Sequence, residues 1–367
     1  MKVLYTGALF NSSGYAEAAR NNIAAILTQP DIELSARAVS FENWATDIGP
    51  KFNDMIQPLL TKKVTPDVQI IHLTPENFAR TKQPGMKNIG YTVWEASKLP
   101  SNWVDMCNQL DEIWVPCQWN VDVFKSSGVT VPIRKIPHTI NLSDLEQVPA
   151  TRIDNIPTDV FNFYSIFHWS SRKNPEGLLK AYLAEFRNTD KVNLVLKTYM
   201  NDSSTSDRNQ TVLSVGAVKK SLELQDKETA SITLVHGALS KQQMSSLHRT
   251  CDCFVLPHRA EGWGVPHFEA MALGKPVITT GFGGNLEFMN ADTSYLLSFD
   301  VTPVSGTGRH TYNGWMDWAE PSIANLRYWM RYVYEHQEEI PVKVAAGREK
   351  IQQFDWLQVG KLIRESL

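Results

Sequence analysis

The sequence predicts an α/β protein built from two Rossmann-like domains, and three stretches of the chain support this. Residues 253–280 contain an apolar strand, Phe254–Leu256, then a glycine-containing loop, a short helical segment and a second apolar strand. The chain begins with another short apolar strand, Lys2–Tyr5, which leads through a loop into a helix-forming segment. A further alternating strand begins at Phe161 and also runs through a loop into a helix. Strands that alternate with helices in this way are typical of parallel sheets.

Length and composition fit this organisation. The chain has 367 residues, of which 43% are hydrophobic and 20% charged, so it is long enough for two domains. We predict domains at 1–150 and 151–351, joined by a linker within 141–158, where turn formers and prolines accumulate. The net charge of −3 gives no general attraction to nucleic acid or to an anionic membrane.

The sequence shows neither the signal pattern nor the cysteine pattern of a secreted protein. The segment Met1–Gly7 reads as a strand and lacks the apolar region and cleavage site of a secretory signal. No apolar run approaches the roughly 18 residues of a membrane span. The four cysteines, at 107, 117, 251 and 253, show neither zinc-site spacing nor a disulfide framework. A cytoplasmic protein without a membrane span is expected, and the sequence indicates no oligomeric state.

The most informative stretch is the βαβ unit around the loop Glu261–Gly264. The helix predicted over Val265–Leu273 has Pro266 in its first turn and Gly274 at its end. In such a unit, a ligand binds at the carboxyl end of the strand beside the helix N-terminus, where backbone amides favour a phosphate. Gly262 and Gly264 allow the backbone to approach that ligand closely.

Two carboxylates bracket this predicted phosphate site. Glu261 lies in the loop and Glu269 lies one turn into the helix, at most about 20 Å apart. That separation suits a ligand with hydroxyls at both ends and phosphates between them, as in a nucleotide sugar. The alternative is a structural βαβ turn with two solvated glutamates.

The string from Arg259 to Ile278 resembles the E-x7-E signature of retaining GT-B glycosyltransferases of family 4. The resemblance implies two Rossmann-like domains that face each other across a cleft, with a C-terminal helix within 352–367 packing back on the first domain. It implies that Glu261 contacts hydroxyls of the donor sugar and that Glu269 holds the ribose. His258 stands where the family often has serine.

The resemblance also extends to the phosphate-binding positions. Gly14, in the first loop, matches a family glycine that faces the donor phosphates. Lys173 matches a family lysine after the first strand of the second domain, whereas the family's preceding arginine is absent. Arg172 or Lys197 is expected to replace it, because either can place positive charge near a diphosphate.

Other positions have less defined roles in the resemblance. The backbone of Ala238 and Leu239 corresponds to a loop that borders the nucleobase in relatives. Glu95 stands near a cleft histidine of many relatives, and acceptor binding, proton transfer or loop support all remain open for it. His72 and His138 follow strands; His72 is expected to be a hydrogen-bonded core residue, and His138 to line the cleft or be structural.

The predicted reaction moves a hexose from a UDP- or GDP-type sugar donor to a carbohydrate or other hydroxyl acceptor, with retention. No D-x-D pair that could hold a metal stands at a strand end, so no metal or other cofactor is expected. The predicted catalytic residues are Glu261, Lys173, Arg172 and Glu95. The predicted donor-binding residues are Glu269, Gly14, Gly262, Trp263, Gly264, Lys197, Ala238 and Leu239. The alternatives are a GT-B nucleotide-sugar epimerase or phosphorylase, a DNA base glycosyltransferase, and a noncatalytic nucleotide- or carbohydrate-binding module.

Overall fold

The chain divides into two compact units, Met1–Asp144 with Gln352–Leu367, and Leu145–Ile351. The computed structural model describes residues 1–11, 13–40, 48–147, 153–202, 204–225, 228–307 and 311–367. The predicted domain boundary after residue 150 and the middle of the predicted linker fall outside these residues. None of the helices in the described ranges is both long and apolar enough to cross a membrane.

The first unit contains a parallel sheet of six strands in the order β2-β1-β3-β4-β5-β6. The strands are β1 Lys2–Gly7, β2 Glu33–Ala38, β3 Val68–His72, β4 Lys87–Tyr91, β5 Glu112–Val115 and β6 Ile133–Lys135. The helices are α1 Gly14–Leu27, α2 Pro50–Thr61, α3 Phe78–Thr81, α4 Ser101–Cys107, α5 Gln118–Ser127 and α6 Leu142–Gln147. The last of these helices spans the division between the units.

The second unit contains another six-stranded parallel sheet, ordered β12-β11-β10-β7-β8-β9, and a separate antiparallel pair, β13-β14. The strands are β7 Phe161–His168, β8 Val192–Tyr199, β9 Ser231–Val235, β10 Cys253–Leu256, β11 Val277–Thr280, β12 Tyr295–Leu297, β13 Phe299–Pro303 and β14 Asp317–Pro321. The helices are α7 Pro175–Glu185, α8 Thr205–Ser221, α9 Lys241–Thr250, α10 Val265–Ala272, α11 Ile323–Glu335 and α12 Ile340–Gln352.

A final helix, α13 Trp356–Ser366, packs on α1 of the first unit. A Cβ atom on Gly360 would lie 2.2 Å from the carbonyl oxygen of Ala25, so only glycine permits this close crossing. The Trp356 indole donates a hydrogen bond to Asn21 Oδ1 at 3.0 Å, on the same helix α1. The predicted return of the C-terminal helix to the first domain, and the predicted two-domain α/β fold, are therefore confirmed.

Two local predictions for the second unit hold only in part. The polar composition of residues 201–208 predicts a loop, yet α8 begins at Thr205 because the Ser204 hydroxyl accepts the Asp207 amide at 3.1 Å. The Asp207 carboxylate also accepts the amide of Met200 at 2.9 Å. The composition of residues 302–314 also predicts a loop; Thr302 and Pro303 end β13, whereas residues 304–307 and 311–314 belong to no strand or helix. Residues 308–310 lie outside the described ranges.

Candidate active site

Two loops that follow neighbouring strands meet at the carboxyl edge of the second sheet. Strands β7 and β10 pair in parallel, with Cys253 opposite Phe163 and Phe254 opposite Tyr164. The segment after β7 forms a tight turn over Ser171–Lys173, called the basic turn below. The segment after β10, residues 259–264, leads into α10 and is called the Glu261 loop. Because the two strands run in the same direction, both segments emerge at the same edge of the sheet.

An ion pair joins the basic turn to the Glu261 loop. Lys173 Nζ donates to Glu261 Oε1, and the two side chains are only 11% and 6% exposed. Arg172 Nη1 lies 3.7 Å from Glu261 Oε2 and donates to the carbonyl of Ala260 at 2.9 Å. Burial opposes ionisation of Glu261, but Lys173 and Arg172 hold the pKa of its carboxyl well below the usual range. Glu261 is therefore a buried, ionised carboxylate, not a solvated one.

Gly283 and Gly284 pack against the backbone of the Glu261 loop. The amide of Gly284 donates to the carbonyl of Glu261 at 2.7 Å. Gly283 has a φ of +100°, and a Cβ atom there would lie 2.5 Å from the same carbonyl oxygen. No side chain can occupy that position without displacing the loop. The sequence pattern Gly-Phe-Gly-Gly at 281–284 signals tight backbone, but not its contact with Glu261.

The entrance to α10 also requires a glycine. Gly264 has a φ of +93°, and a Cβ atom there would lie 2.7 Å from His267 Nδ1. The ring of Trp263 is 3% exposed, and its centre lies 5.3 Å from that of Phe268 and 5.0 Å from that of Phe288. The predicted donor-binding residues Gly262, Trp263 and Gly264 are all buried in the structure.

Two buried histidines lie next to the ion pair. His258 is fully buried, and neither of its ring nitrogens has a hydrogen-bond partner in the structure. Its ring stands 5.4 Å from that of His267, whose Nε2 hydrogen-bonds Thr279 Oγ1 at 2.9 Å. Burial lowers the pKa of His258, and lowers that of His267 to about 4, so both rings are neutral near pH 7. The sequence marks His258 only as a departure from the family serine.

Glu269 lies on α10 and faces a second helix. Its side chain is 19% exposed, and Oε2 lies 3.6 Å from His248 Nε2 on α9. The other nitrogen of His248 hydrogen-bonds the Tyr164 hydroxyl at 2.8 Å. A partly exposed carboxylate of this kind is able to accept hydrogen bonds from a ligand. The contribution of His248 was not predicted, because a single histidine on a polar helix carries no distinguishing signal.

A third loop at the same sheet edge, which follows β9, contains the predicted positions Ala238 and Leu239 and contacts Lys197. Lys197, on β8, donates to the carbonyl of Gly237 at 2.6 Å. Burial lowers the pKa of Lys197 to about 8. Ala238 and Leu239 directly follow Gly237, so the structure brings Lys197 next to the predicted nucleobase loop. Arg172, by contrast, adjoins Glu261.

Gly14 and Glu95 belong to the first unit. Gly14 is the exposed first residue of α1, whose N-terminus is capped by Ser13, and Glu95 is half-buried in the segment after β4. His72 is buried and hydrogen-bonds the Tyr5 hydroxyl through Nδ1 at 2.6 Å, as expected of a core histidine. His138 is also buried, 3.0 Å from the Tyr91 hydroxyl.

The described residues bring no three histidine, cysteine, aspartate or glutamate side chains together in a group that could hold a metal ion. The four cysteines are buried and unbridged. The polar groups that converge in the second unit are therefore cations, carboxylates, imidazoles and backbone amides. Such a set can bind an anion and orient hydroxyl groups.

Part of the second unit matches a known family in sequence comparison. Residues 155–298, less than half of the chain, match the family described as "Glycosyl transferases group 1". A curated relative, the alpha-1,3/1,6-mannosyltransferase ALG2 of Mus musculus, is 26% identical over 203 residues. That match covers 52% of this chain and 47% of the mouse protein, so the chain spans about half the length of this relative.

Solved structures resemble the whole chain. HepE from Anabaena, in complex with UDP and glucose, has a TM-score of 0.67 at 13% identity and covers 100% of this chain and 99% of its own. Sucrose-phosphate synthase from Thermosynechococcus elongatus has a TM-score of 0.70 at 13% identity, covering 100% and 98%. An E. coli protein bound with UDP-2-fluoro glucose has a TM-score of 0.66 at 11% identity, with the same coverage. The fold is therefore the GT-B fold, and the family match over the second unit supports a glycosyltransferase of that fold.

Proposed function

We propose that this protein is a retaining glycosyltransferase of family 4 that transfers a hexose from a nucleoside-diphosphate sugar to a hydroxyl acceptor without a metal. The observation that carries the proposal is the buried cluster of Lys173, Arg172 and Glu261. It lies inside the segment that matches the glycosyl transferase family, at the sheet edge where α/β proteins bind ligands.

The cluster has the charges that sugar transfer needs. When the bond between the anomeric carbon and the diphosphate breaks, negative charge grows on the departing phosphate oxygens and positive charge grows on the sugar ring. Lys173 and Arg172 are fixed cations that stabilise the phosphate charge, and buried groups do this more strongly than groups in water. The backbone amides at the start of α10 add their dipoles.

Retention determines where the acceptor proton goes. The acceptor hydroxyl must approach the face of the sugar that the diphosphate leaves, so the departing phosphate oxygen is the nearest base for the hydroxyl proton. The bond from the anomeric carbon to the acceptor oxygen forms as the bond to phosphate breaks. No protein nucleophile is required, and Glu261 then serves to position the sugar, not to attack it.

The remaining predicted residues bind the donor. Glu269, 19% exposed, is proposed to accept hydrogen bonds from the ribose diol. Lys197 and the backbone of Ala238 and Leu239 border the nucleobase, while Arg172 replaces the missing family arginine because it adjoins Glu261 at 3.7 Å. Gly14 keeps the phosphate-facing role that the family resemblance implies, and acceptor binding, proton transfer and loop support stay open for Glu95.

The ligands and activities of the relatives indicate which sugar donors to test first. Two structural relatives bind UDP or a UDP sugar, and the mouse relative is a mannosyltransferase, so UDP and GDP sugars are the first donors to test. A thermal-shift screen of UDP, GDP and ADP identifies the base, because a nucleotide at 100 times its Kd stabilises the protein by about 2.7 kcal/mol. The matching sugar nucleotides are then assayed for transfer and hydrolysis, with and without EDTA. Nucleotide binding without any release of sugar would replace the transferase with a binding module, and loss of activity in EDTA would refute metal independence.

A further inference from the structure

The antiparallel pair β13–β14, called the hairpin below, lies outside the parallel sheet of the second unit. Arg259, in the Glu261 loop, hydrogen-bonds to the second strand of the hairpin, β14. Arg259 Nε and Nη2 donate to the two carboxylate oxygens of Glu320 at 2.5 and 3.0 Å, in the forked geometry that only arginine provides. The guanidinium also lies 5.5 Å from the centre of the Trp318 ring. The hairpin is therefore attached to the loop that contains Glu261.

The same arginine is bonded to the basic turn. Its third guanidinium donor, Nη1, bonds the carbonyl of Ser171 at 2.6 Å, and its backbone amide bonds the carbonyl of Arg172 at 2.7 Å. Its own carbonyl accepts the amide of Ala319 in the hairpin at 2.9 Å. One residue thus links the basic turn, the Glu261 loop and the hairpin.

A second, apolar contact joins the hairpin to the other side of the Glu261 loop. The ring of Phe299, at the start of β13, packs edge-on against Phe282 with ring centres 5.4 Å apart. Phe282 directly precedes Gly283 and Gly284, which abut the Glu261 carbonyl. The base of the hairpin therefore supports the Glu261 loop from two directions.

We infer that Arg259 and Glu320 are positioning residues. Through them, the hairpin fixes the positions of Lys173, Arg172 and Glu261 relative to one another. Without Glu320, Arg259 loses two of its fixed hydrogen bonds, and its contact with Ser171 is no longer constrained from the hairpin side. The inference rests on the proposed function in one respect, since the consequence of displacing these groups is slower sugar transfer. Displacement of a catalytic group by about 1 Å can lower a rate by as much as a hundredfold.

This role differs from a contribution to stability. The side chains of Arg259 and Glu320 are 21% and 42% exposed, and ion pairs as exposed as this contribute little to folding free energy. The Glu320→Gln substitution keeps the size of the side chain and removes its charge. It should leave the melting temperature close to that of the wild type while loosening the two loops. Glu320→Ala should loosen them further.

The experiment compares Glu320→Gln and Glu320→Ala with a matched control, Glu185→Gln. Glu185 accepts bonds from Arg327 at 3.1 Å and Arg331 at 2.9 Å in the same unit. Amide hydrogen exchange is measured at Arg259 and Ala319, whose amides make the bonds between the three segments, and at Gly284, whose amide bonds the Glu261 carbonyl. We expect exchange at these amides to become at least about tenfold faster in both Glu320 variants and to stay unchanged in the control.

Sugar transfer and nucleotide affinity are measured on the same proteins. We expect kcat to fall about tenfold in Glu320→Gln, with the Kd for UDP or GDP, whichever the screen selects, changed less than twofold. Unchanged exchange at the three amides overturns the inference, and so does faster exchange with an unchanged kcat. A wild-type protein that binds no nucleotide and transfers no sugar refutes the proposed function instead, and hydrogen exchange then still decides whether the hairpin fixes the positions of the loops.

Discussion

Replacing Lys173 with methionine should destabilise the second unit far more than loss of a surface ion pair would. Methionine is unbranched like lysine and only one atom shorter, but it leaves the Glu261 carboxylate, itself 6% exposed, without its closest cation. Breaking a buried pair by removing one partner costs about 3–5 kcal/mol, because the remaining charge is uncompensated. Arg172, at 3.7 Å, moderates the effect, so we expect about 3 kcal/mol.

The pH dependence of this variant separates an electrostatic cost from a packing defect. In the wild type the pKa of Glu261 is depressed, so its contribution to stability is present above the unfolded pKa of about 4.3 and is lost as pH falls further. In Lys173→Met the pKa of Glu261 rises, because burial is no longer offset by the lysine. The deficit should therefore be largest at pH values above the raised pKa of Glu261 in the variant and shrink as pH falls below it.

The double variant Lys173→Met/Glu261→Gln is the control, because it removes both buried charges. It should recover much of the loss, since replacing both members of a buried ion pair is often nearly neutral. Thermal melts at pH 5 and pH 8 measure the effect, and 3 kcal/mol corresponds to a shift of roughly 6–12 °C for a unit of this size. A shift of less than about 3 °C at pH 8, or a double variant as unstable as the single one, would contradict the ion-pair reasoning.

Three further predictions follow from the same contacts. Glu269→Ala should weaken nucleoside-diphosphate binding by about 1.5–3 kcal/mol in calorimetry, and unchanged affinity in a folded variant would remove Glu269 from the ribose site. Gly283→Ala should lower the melting temperature more than Gly85→Ala does: both have positive φ, but a Cβ atom meets the Glu261 carbonyl only at Gly283. Burial lowers the pKa of His138 to about 3 and that of His267 to about 4. The unfolded chain alone therefore takes up these protons between pH 6.5 and 5, which costs about 2 kcal/mol for each histidine in chemical denaturation. Stability that is flat over this range would refute their buried, neutral state.

The βαβ unit at 253–280 was predictable because its signals are local. The apolar strand, the glycine loop, Pro266 and Gly274 each restrict the backbone where they stand, and α10 indeed runs over Val265–Ala272. The hairpin β13–β14 was not predictable in the same way. Its strands are joined by a Ser-, Gly- and Thr-containing stretch that resembles a loop, and its attachment to the Glu261 loop depends on contacts such as Arg259 with Glu320, 61 residues apart in sequence.

The candidate site shows the same limit. Sequence could place Lys173 after one strand and Glu261 after another, but the ion pair between them spans 88 residues and depends on β7 and β10 being neighbours. Trp263 illustrates the converse. Its position inside the motif suggested a ligand contact. Its ring packs against Phe268 and Phe288, because burying a large apolar ring lowers the free energy of the folded chain.

Within the proposed function, the pairing of Glu261 with Lys173 makes sugar recognition and leaving-group stabilisation interdependent. An ionised carboxylate has about four acceptor sites, and Lys173 occupies one of them, on Oε1. The remaining sites can accept hydroxyls of a donor sugar while Lys173 stays in place. A sugar whose hydroxyls match those sites keeps the Glu261 carboxylate in place. The carboxylate then keeps the Lys173 ammonium group beside the departing diphosphate. A mismatched sugar draws the carboxylate away from Lys173 and weakens that stabilisation, so selectivity should appear in kcat as well as in binding.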